Sequence, residues 1–315
     1  MTTPSVRPDV QMLLGMLASQ PGPPMHELDA ATARDMYNAM AQMADSPRGE
    51  LAEVKELTIA GDAGAIPARL YRPTDATHPA PVLLFFHGGG WVIGNLDTHD
   101  SACAAIARGL GLSVVSVDYR LAPEHRFPAA VDDCLAAARW LATSPAEIGH
   151  PVSGLIPAGD SAGGTLAAIT SQQLAGQLPV SIVAQWLIYP GTDMQASSGS
   201  MEDFADGYLL TRETMDWFMN HYFEGGDDRT DPRASPLAAE SLKGQPPTLV
   251  FTCSLDPLRD QGRAYAARLI EAGVPTIFRE AEGQIHGSLT LRAGIPSAQA
   301  DLDGNLAALR LLLTA

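Results

Sequence analysis

A single serine, Ser161, lies between two glycines in the stretch GDSAG, where an apolar run ends at Ala158 and a helix-forming run begins near Ala162. Glycine tolerates the close backbone contacts and the dihedral angles of a sharp turn from a strand into a helix. At the apex of such a turn the serine of a G-x-S-x-G pattern projects from the fold as a nucleophile. The simpler alternative is a glycine-rich turn in which Asp160 or Ser161 only caps the following helix. The pattern alone does not decide between the two.

A serine nucleophile needs two partners, and both follow it in this chain. Its hydroxyl becomes reactive when a neutral imidazole takes the proton, and a carboxylate then orients the imidazole and stabilises its cation. Asp256 comes after the apolar run PTLVFTC, and His286 comes after the run PTIFREA. This order, with each partner on the turn after a late strand, predicts a triad of Ser161, Asp256 and His286. Asp260 is a rival for the acid, but it suits the N-terminus of the next helix.

Three consecutive glycines, Gly88, Gly89 and Gly90, follow the apolar run PVLLFF and a histidine. Glycines after a strand leave backbone N–H groups bare, and these groups can point at a developing oxyanion together with the N–H of Ala162. The alternative is a flexible glycine hinge, which is the weaker interpretation because apolar residues resume directly after the glycines. We therefore predict an oxyanion hole formed by these three glycines and Ala162.

Strand-like and helix-like segments alternate from about Glu53 onward, and they must position these side chains. The segments VKELTI and AIPARLYRP alternate in polarity, which predicts an antiparallel ribbon. Short apolar runs bounded by glycine or proline predict buried, mostly parallel strands. These runs are PVLLFF, LSVVSVDY, GLIPA, SIVAQWLIY, PTLVFTC and PTIFREA. Helical patterns lie between or after them at 101–109, 128–141, 162–174, 259–272 and 299–313. The alternation predicts an α/β fold with a doubly wound sheet.

Two stretches do not fit this alternation. Residues 1–48 contain helical patterns before any strand, and residues 193–225 contain the helical pattern RETMDWFMNHYF between two core strands. We interpret both as additions to a sheet domain made of residues 49–192 and 226–315. We expect the two additions to form one lid, although they are far apart in the chain.

Several motifs occur in order between about residues 70 and 290, namely HGGGWVIG, DYRLAPEHRFPAAVDD, GDSAGG, LIYP, DGYLLT, DPLRD and IHG. With them the chain resembles the microbial esterases of the hormone-sensitive lipase family, which is bacterial family IV of the α/β-hydrolases. The resemblance implies an α/β-hydrolase fold with a helical cap, and a carboxylesterase that acts on short- to medium-chain acyl esters without a cofactor. It implies Ser161 as nucleophile, His286 as general base and acid, and Asp256 as the partner that orients it. It gives His87 a structural role in the glycine loop.

Two positions depart from the family pattern. Ser288 stands where the family often has phenylalanine after HG, and Thr165 stands where it often has asparagine after GDSAGG. Neither belongs to the triad, but we expect Ser288 to loosen the packing beside His286 and to alter the pocket. The same triad serves amides, carbamates and lactones, so these substrates stay open. A ligand-binding module is a further alternative, which the histidine disfavours because the related receptors replace it.

The methionines fall only within the two stretches that the resemblance assigns to the cap. Methionine is unbranched and polarisable, so a wall rich in it can repack around ligands of different shape. We predict an adaptable apolar wall, with Trp91, Met215, Trp217, Phe218 and Met219 at the substrate pocket. The alternative is ordinary helical packing. The 11 methionines are Met1, Met12, Met16, Met25, Met36, Met40, Met43, Met194, Met201, Met215 and Met219.

Composition restricts the partners of the chain. The net charge of −16 repels nucleic acid, and no basic tract offsets it. No run is long enough to cross a bilayer and the first residues lack the features of a secretory signal, so we expect no membrane association and a cytoplasmic location. The three cysteines are scattered without metal-ligand spacing, so no metal site is expected, and the family resemblance implies no other cofactor. The expected partner is a small-molecule ester, and the family resemblance also allows a homodimer.

Overall fold

The computed structural model describes residues 5–19 and 22–314, and within them eight strands form one sheet. The strands are β1 Glu53–Gly61, β2 Gly64–Arg72, β3 Ala80–Phe86, β4 Val114–Val117, β5 Val152–Asp160, β6 Gln185–Ile188, β7 Thr248–Leu255 and β8 Thr276–Ile285. Their order in the sheet is β1-β2-β4-β3-β5-β6-β7-β8. The first two strands form an antiparallel ribbon that pairs with β4, and the strands from β3 to β8 run parallel.

The central strands are apolar because helices cover both faces of the sheet. Along β3, Leu83 and Phe85 point to one hydrophobic cluster, whereas Leu84 and Phe86 point to the other. Every residue of β7 is buried. The parallel arrangement brings the carboxyl ends of the strands to one edge of the sheet, where polar loops can meet.

The helices lie on both faces of the sheet, which confirms the predicted α/β fold with a doubly wound sheet. They are α1 Pro8–Ala18, α2 Ala30–Ala44, α3 Asp100–Leu110, α4 Ala129–Ala142, α5 Ala162–Leu174, α6 Ser200–Asp203, α7 Arg212–Tyr222, α8 Arg259–Glu271 and α9 Ser297–Thr314. Residues of α4, α5 and α8 join the cluster on one face, and residues of α3 and α9 join the cluster on the other. Among the described residues, no helix has both the length and the apolar composition needed to span a bilayer.

Several elements differ in extent from their sequence patterns, and β6 and α4 show two causes. β6 covers four residues of the longer run SIVAQWLIY, because the start of that run meets β5 only through the single bridge between Leu155 and Ile182. α4 begins after Pro128, which precedes the helix rather than occupying its first turn. In both cases the apolar pattern continues beyond the residues that form regular backbone hydrogen bonds.

The two stretches outside the alternating pattern meet each other in space. Val10 and Leu13 of α1 share a hydrophobic cluster with Phe204 from the inserted stretch. The indole N–H of Trp217, on α7, donates to the carbonyl of Leu28 at 3.2 Å. These contacts are consistent with one lid, and the division at residues 48, 192 and 225 remains a prediction. Residues 1–4, 20, 21 and 315 of that division, Met1 among them, lie outside the described residues.

Candidate active site

Ser161 occupies the turn between the end of β5 and the start of α5, with φ 55° and ψ −120°. This backbone conformation is rare for a residue with a side chain. The flanking glycines are required by close approach, since a Cβ on Gly159 or Gly163 would overlap the carbonyl oxygen of Phe86. The N–H of Ser161 donates to the carbonyl of Ile188 at 2.9 Å, which ties the turn to β6. The sequence GDSAG therefore folds into the sharp strand-to-helix turn that its glycines predict.

Asp256 and His286 lie next to Ser161 although they are far from it in sequence. The Oγ of Ser161 is 2.8 Å from Nε2 of His286, and Nδ1 of His286 is 2.7 Å from Oδ2 of Asp256. Asp256 follows the last residue of β7 and His286 follows the last residue of β8, so the parallel sheet brings both to the edge that holds Ser161. Asp256 is fully buried, and its Oδ1 accepts the N–H of Leu258 at 2.8 Å.

Asp260, the rival carboxylate, lies in the first turn of α8 and makes different contacts. One of its oxygens accepts the N–H of Ser200 at 2.9 Å, and the other accepts from Arg259 and Arg263. Burial raises the pKa of this carboxyl, but the hydrogen bonds from Arg259 and Ser200 bring the pKa below its usual value. Asp260 therefore anchors α6 to α8, whereas His286 contacts Asp256.

The glycine loop corrects one part of the predicted oxyanion hole. The N–H of Gly88 donates to Oδ1 of Asp160 at 2.8 Å, so this group is already used inside the protein. Among the described residues, the N–H groups of Gly89, Gly90 and Ala162 meet no protein acceptor and are free for a ligand. Gly89 and Gly90 have φ values of 120° and 57°, which the absence of a Cβ permits.

His87 packs beside the glycine loop and holds it in place. Its ring stacks on Tyr119 with centroids 4.3 Å apart, and its Nδ1 lies 2.8 Å from the carbonyl of Gly88. Burial lowers the pKa of His87 to about 3, with a further contribution from the nearby His99. The imidazole is therefore neutral, so Nδ1 donates the hydrogen bond to Gly88. This arrangement agrees with a structural role for His87.

A cavity of about 390 Å³ opens beside Ser161. Its wall contains apolar side chains together with charged, hydroxyl and amide side chains. The apolar lining includes Trp91, Met194, Met201, Leu210, Met215, Phe218, Met219 and Leu258, and the polar lining includes Thr165, Asp193, Gln195, Arg212, Asp216, Arg229 and Gln261.

The cavity contains four of the five predicted pocket residues, and Trp217 is the exception. Trp217 donates to the carbonyl of Leu28, so it contacts the N-terminal stretch, and it does not line the cavity. The N-terminal methionines also differ from expectation, since Met12 and Met43 are 74% and 73% exposed to solvent. Among the described residues, the methionines that line the cavity all belong to the inserted stretch.

The two departures from the family pattern have different surroundings. The hydroxyl of Thr165 donates to the carbonyl of Gly191 at 2.5 Å and lines the cavity. Ser288 is buried with its Oγ 3.8 Å from Sγ of Cys253, and it does not line the cavity. Ser288 therefore makes no direct contact with the pocket that it is expected to alter.

Sequence reasoning missed a group of buried polar side chains behind the glycine loop. Asp160, His99 and Tyr189 meet there, and each is buried. The sequence pattern indicates Asp160 only as a possible helix cap, although a charged residue at the end of a mostly buried strand is a signal for a buried partner. The part of the chain that the structure describes contains no group of three or more His, Cys, Asp or Glu side chains arranged to hold a metal ion.

Comparison with known proteins gives consistent matches over most of the chain. Residues 83–290 match the model of a family described as having the alpha/beta hydrolase fold. The chain is 42% identical over 272 residues to the carboxylic ester hydrolase LipN of Mycobacterium tuberculosis, covering 84% of this chain and 71% of the relative. It is 38% identical to the ethyl acetate hydrolase of Pseudomonas putida, covering 89% of each. A solved ester hydrolase from the metagenome of Lake Arreo matches with a TM-score of 0.93 and 39% identity, covering 98% of this chain and 100% of that one.

Proposed function

Because the chain belongs to the α/β-hydrolase fold family, in its hormone-sensitive lipase branch (bacterial family IV), and is a carboxylic ester hydrolase, we propose that Ser161 is its nucleophile and that short- to medium-chain acyl esters are its substrates. One observation carries the proposal. The hydroxyl of Ser161, the imidazole of His286 and the carboxylate of Asp256 form a continuous line of hydrogen bonds of 2.8 Å and 2.7 Å. In this line each group can activate the one before it.

The acylation step follows from this geometry. Nε2 of neutral His286 accepts the proton of Ser161 while the Oγ bonds to the ester carbonyl carbon. The carbonyl oxygen gains the negative charge and accepts hydrogen bonds from the free N–H groups of Gly89, Gly90 and Ala162. Buried Asp256 accepts the Nδ1–H of His286, which fixes the tautomer and stabilises the imidazolium. His286 then gives its proton to the alcohol oxygen, the C–O bond breaks, and the acyl group remains on Ser161.

Deacylation repeats these steps with water. His286 takes a proton from water, the hydroxide oxygen bonds to the acyl carbon, and the same N–H groups stabilise the second tetrahedral intermediate. Collapse of this intermediate breaks the bond to Ser161 Oγ, which recovers its proton from His286. The products are the carboxylic acid and the free enzyme.

The position of the cavity supports an assignment of its occupant. The leaving alcohol must face His286, which protonates it. Within the described residues, the cavity is lined by Gly90, Ala162 and Phe218 but not by His286. We therefore assign the cavity to the acyl group. Its volume of about 390 Å³ lies at the small end of ligand pockets, which favours short to medium acyl chains.

Hydrolysis of a chain-length series tests the proposal. The purified protein is assayed with p-nitrophenyl acetate, butyrate and octanoate, and Ser161→Ala is assayed beside it. We expect turnover of the parent on at least one ester and a loss on the order of 10³-fold or more in the variant, since only binding and the oxyanion hole remain. Near-normal activity of a folded Ser161→Ala protein would assign the nucleophile elsewhere.

A further inference from the structure

A buried carboxylate lies directly behind the glycine loop, and the proposed reaction does not use it. Asp160 precedes Ser161 at the end of β5 and is 3% exposed. Its Oδ1 accepts the N–H of Gly88 at 2.8 Å and lies 3.1 Å from Nε2 of His99. Its Oδ2 lies 3.5 Å from the hydroxyl of Tyr189, whose ring packs 4.6 Å from that of His286. Asp160 thus connects the loop that carries the oxyanion donors with the groups around the triad.

The contacts of His99 fix the position of its ring. The hydroxyl of Thr98 lies 2.9 Å from Nδ1 of His99 and 2.9 Å from the carbonyl oxygen of Asn95. The other ring nitrogen, Nε2, lies 3.1 Å from the carboxylate of Asp160 and 3.4 Å from the nitrogen of Gly88. His99 is therefore held directly against Asp160 and the glycine loop.

The surroundings of Asp160 stabilise its ionised form. Burial raises the pKa of the Asp160 carboxyl, but the interactions with His99 and the N–H of Gly88 outweigh this effect and lower the pKa below its usual value. Behind the glycine loop there is therefore a buried carboxylate that His99 and Gly88 stabilise.

We propose that Asp160 and His99 are positioning residues for the oxyanion hole. Asp160 fixes the N–H of Gly88, and this orients the next two peptide groups so that Gly89 and Gly90 present their N–H groups to the oxyanion. The contact with His99 offsets the charge of Asp160, which would otherwise oppose the negative charge that develops on the substrate oxygen beside Ser161. The inference rests on the proposed function, because it concerns the same reaction.

The size of the expected effects follows from the contribution of one oxyanion donor to kcat. Loss of one such donor lowers kcat by about 10²- to 10³-fold in comparable sites. A carboxylate behind the loop that has lost its contact with His99 weakens the site without removing a donor, so His99→Gln should lower kcat by about tenfold or more. The KM should change less than threefold, because the oxyanion forms only in the transition state.

A charge-balance experiment separates this role from a purely structural one. His99→Gln, Asp160→Asn and the double variant are compared by kcat, KM and the affinity for a trifluoromethyl ketone, which binds as a tetrahedral oxyanion. We expect the double variant to recover most of the kcat and of the ketone affinity lost in His99→Gln, because no buried charge is left unpaired. Asp160→Ala should be more damaging than Asp160→Asn, since asparagine still accepts the N–H of Gly88.

A matched control is available in Asp133→Asn. Asp133 is also 3% exposed and pairs with Arg120 at 2.8 Å, and among the described residues it forms no hydrogen bond with the glycine loop or the triad. This variant should lower the melting temperature and leave kcat unchanged. If His99→Gln does not fold, the comparison of Asp160→Asn with Asp160→Ala provides the test.

Two results would overturn the inference. The first is a folded His99→Gln, or Asp160→Ala, with the kcat and ketone affinity of the parent. The second is a double variant no better than His99→Gln. In both cases an active parent leaves the proposed function intact. An inactive parent would instead refute the proposed function and this inference together.

Discussion

Ser161 has a backbone conformation that most residues avoid, with φ at 55°. Strain of this kind costs about 1–3 kcal/mol and persists only where the surroundings enforce it. Here the enforcement is visible in the bond from Ser161 N–H to Ile188 and in the tight packing of Gly159 and Gly163 against Phe86. The conformation directs the hydroxyl toward Nε2 of His286, so the strain is tied to the proposed chemistry.

The two carboxylates of DPLRD give a prediction at the same scale. Asp256→Asn should lower kcat by on the order of 10³- to 10⁴-fold, because an amide neither fixes the His286 tautomer nor stabilises the imidazolium. Asp260→Asn, the matched control, should keep kcat within about tenfold of the parent and lower the melting temperature, because it weakens the contact to Ser200. Steady-state kinetics on p-nitrophenyl butyrate measure both. The opposite ranking would make Asp260 the acid.

Helices α2 and α7 contact the glycine loop or the residues just after it. The ring of Phe218, on α7, lies against Gly90, where any Cβ would overlap it. Trp91, with φ 61°, stacks on Tyr222 with centroids 4.4 Å apart. On α2, Arg34 donates to the carbonyl of Val92 at 2.8 Å. The loop is thus held between these helices and the sheet, so a change in the helices should reach the oxyanion donors.

The contact of Arg34 with Glu124 gives a pH-dependent prediction. The hydrogen bond from Arg34 lowers the pKa of Glu124 to about 2, whereas an unfolded glutamate has a value near 4.3. The stabilisation by this ion pair is therefore fully present when the pH is above the pKa of Glu124 in the unfolded chain. It is lost as the pH falls through the pKa of Glu124 in the folded protein. Because the Glu124 side chain is 54% exposed, the ion pair with Arg34 adds at most about 1 kcal/mol to the free energy of unfolding.

Glu124→Gln should accordingly lower the free energy of unfolding at pH 7 by up to about 1 kcal/mol, and the difference from the parent should shrink between pH 5 and pH 3. Urea unfolding at pH 7, 5 and 3 measures it. Glu147→Gln is the control, because Glu147 is exposed and forms no ion pair in the part of the chain that is described. A Glu124→Gln deficit that stays constant with pH would contradict the account.

Methionines of the inserted stretch give the second prediction at this scale. Replacing Met215 and Met219, both at the cavity, with β-branched valine should change the preference between acetyl and octanoyl esters, because the stiffer side chains cannot repack around the acyl chain. The rate on acetyl esters should stay within about tenfold. The exposed pair Met12→Val and Met43→Val is the matched control and should keep the parent profile. An unchanged profile in the Met215 and Met219 variant would make these methionines ordinary packing.

For the whole molecule, the fold class could be predicted from the sequence, and so could the strands after which Ser161, Asp256 and His286 lie. Both features follow from local sequence patterns. Apolar runs that end in short polar loops predict parallel strands, and a parallel sheet brings the ends of β5, β7 and β8 together. The proximity of Ser161, Asp256 and His286 is therefore a consequence of strand topology as much as of their residue types.

Other features depend on orientations that a sequence does not encode locally. The N–H of Gly88 differs from those of Gly89 and Gly90 only because Asp160 lies beneath it. Trp217 and Phe218 are neighbours on α7, yet only Phe218 faces the cavity, since the rotation of the helix is set by tertiary packing. His99 is separated from Asp160 by a strand, two helices and their loops, and no spacing rule connects the two.

The central claim is that Ser161 forms the acyl-enzyme, and covalent labelling tests it most directly. The protein is treated with a p-nitrophenyl alkylphosphonate, which transfers a phosphonyl group to an activated serine with release of p-nitrophenolate. Intact mass, peptide mapping and residual esterase activity are then measured. The account predicts one adduct per chain, located on Ser161, with activity lost in proportion to labelling and no labelling of His286→Ala. An adduct on another residue that abolishes activity, or full activity in a protein fully labelled at Ser161, would contradict it.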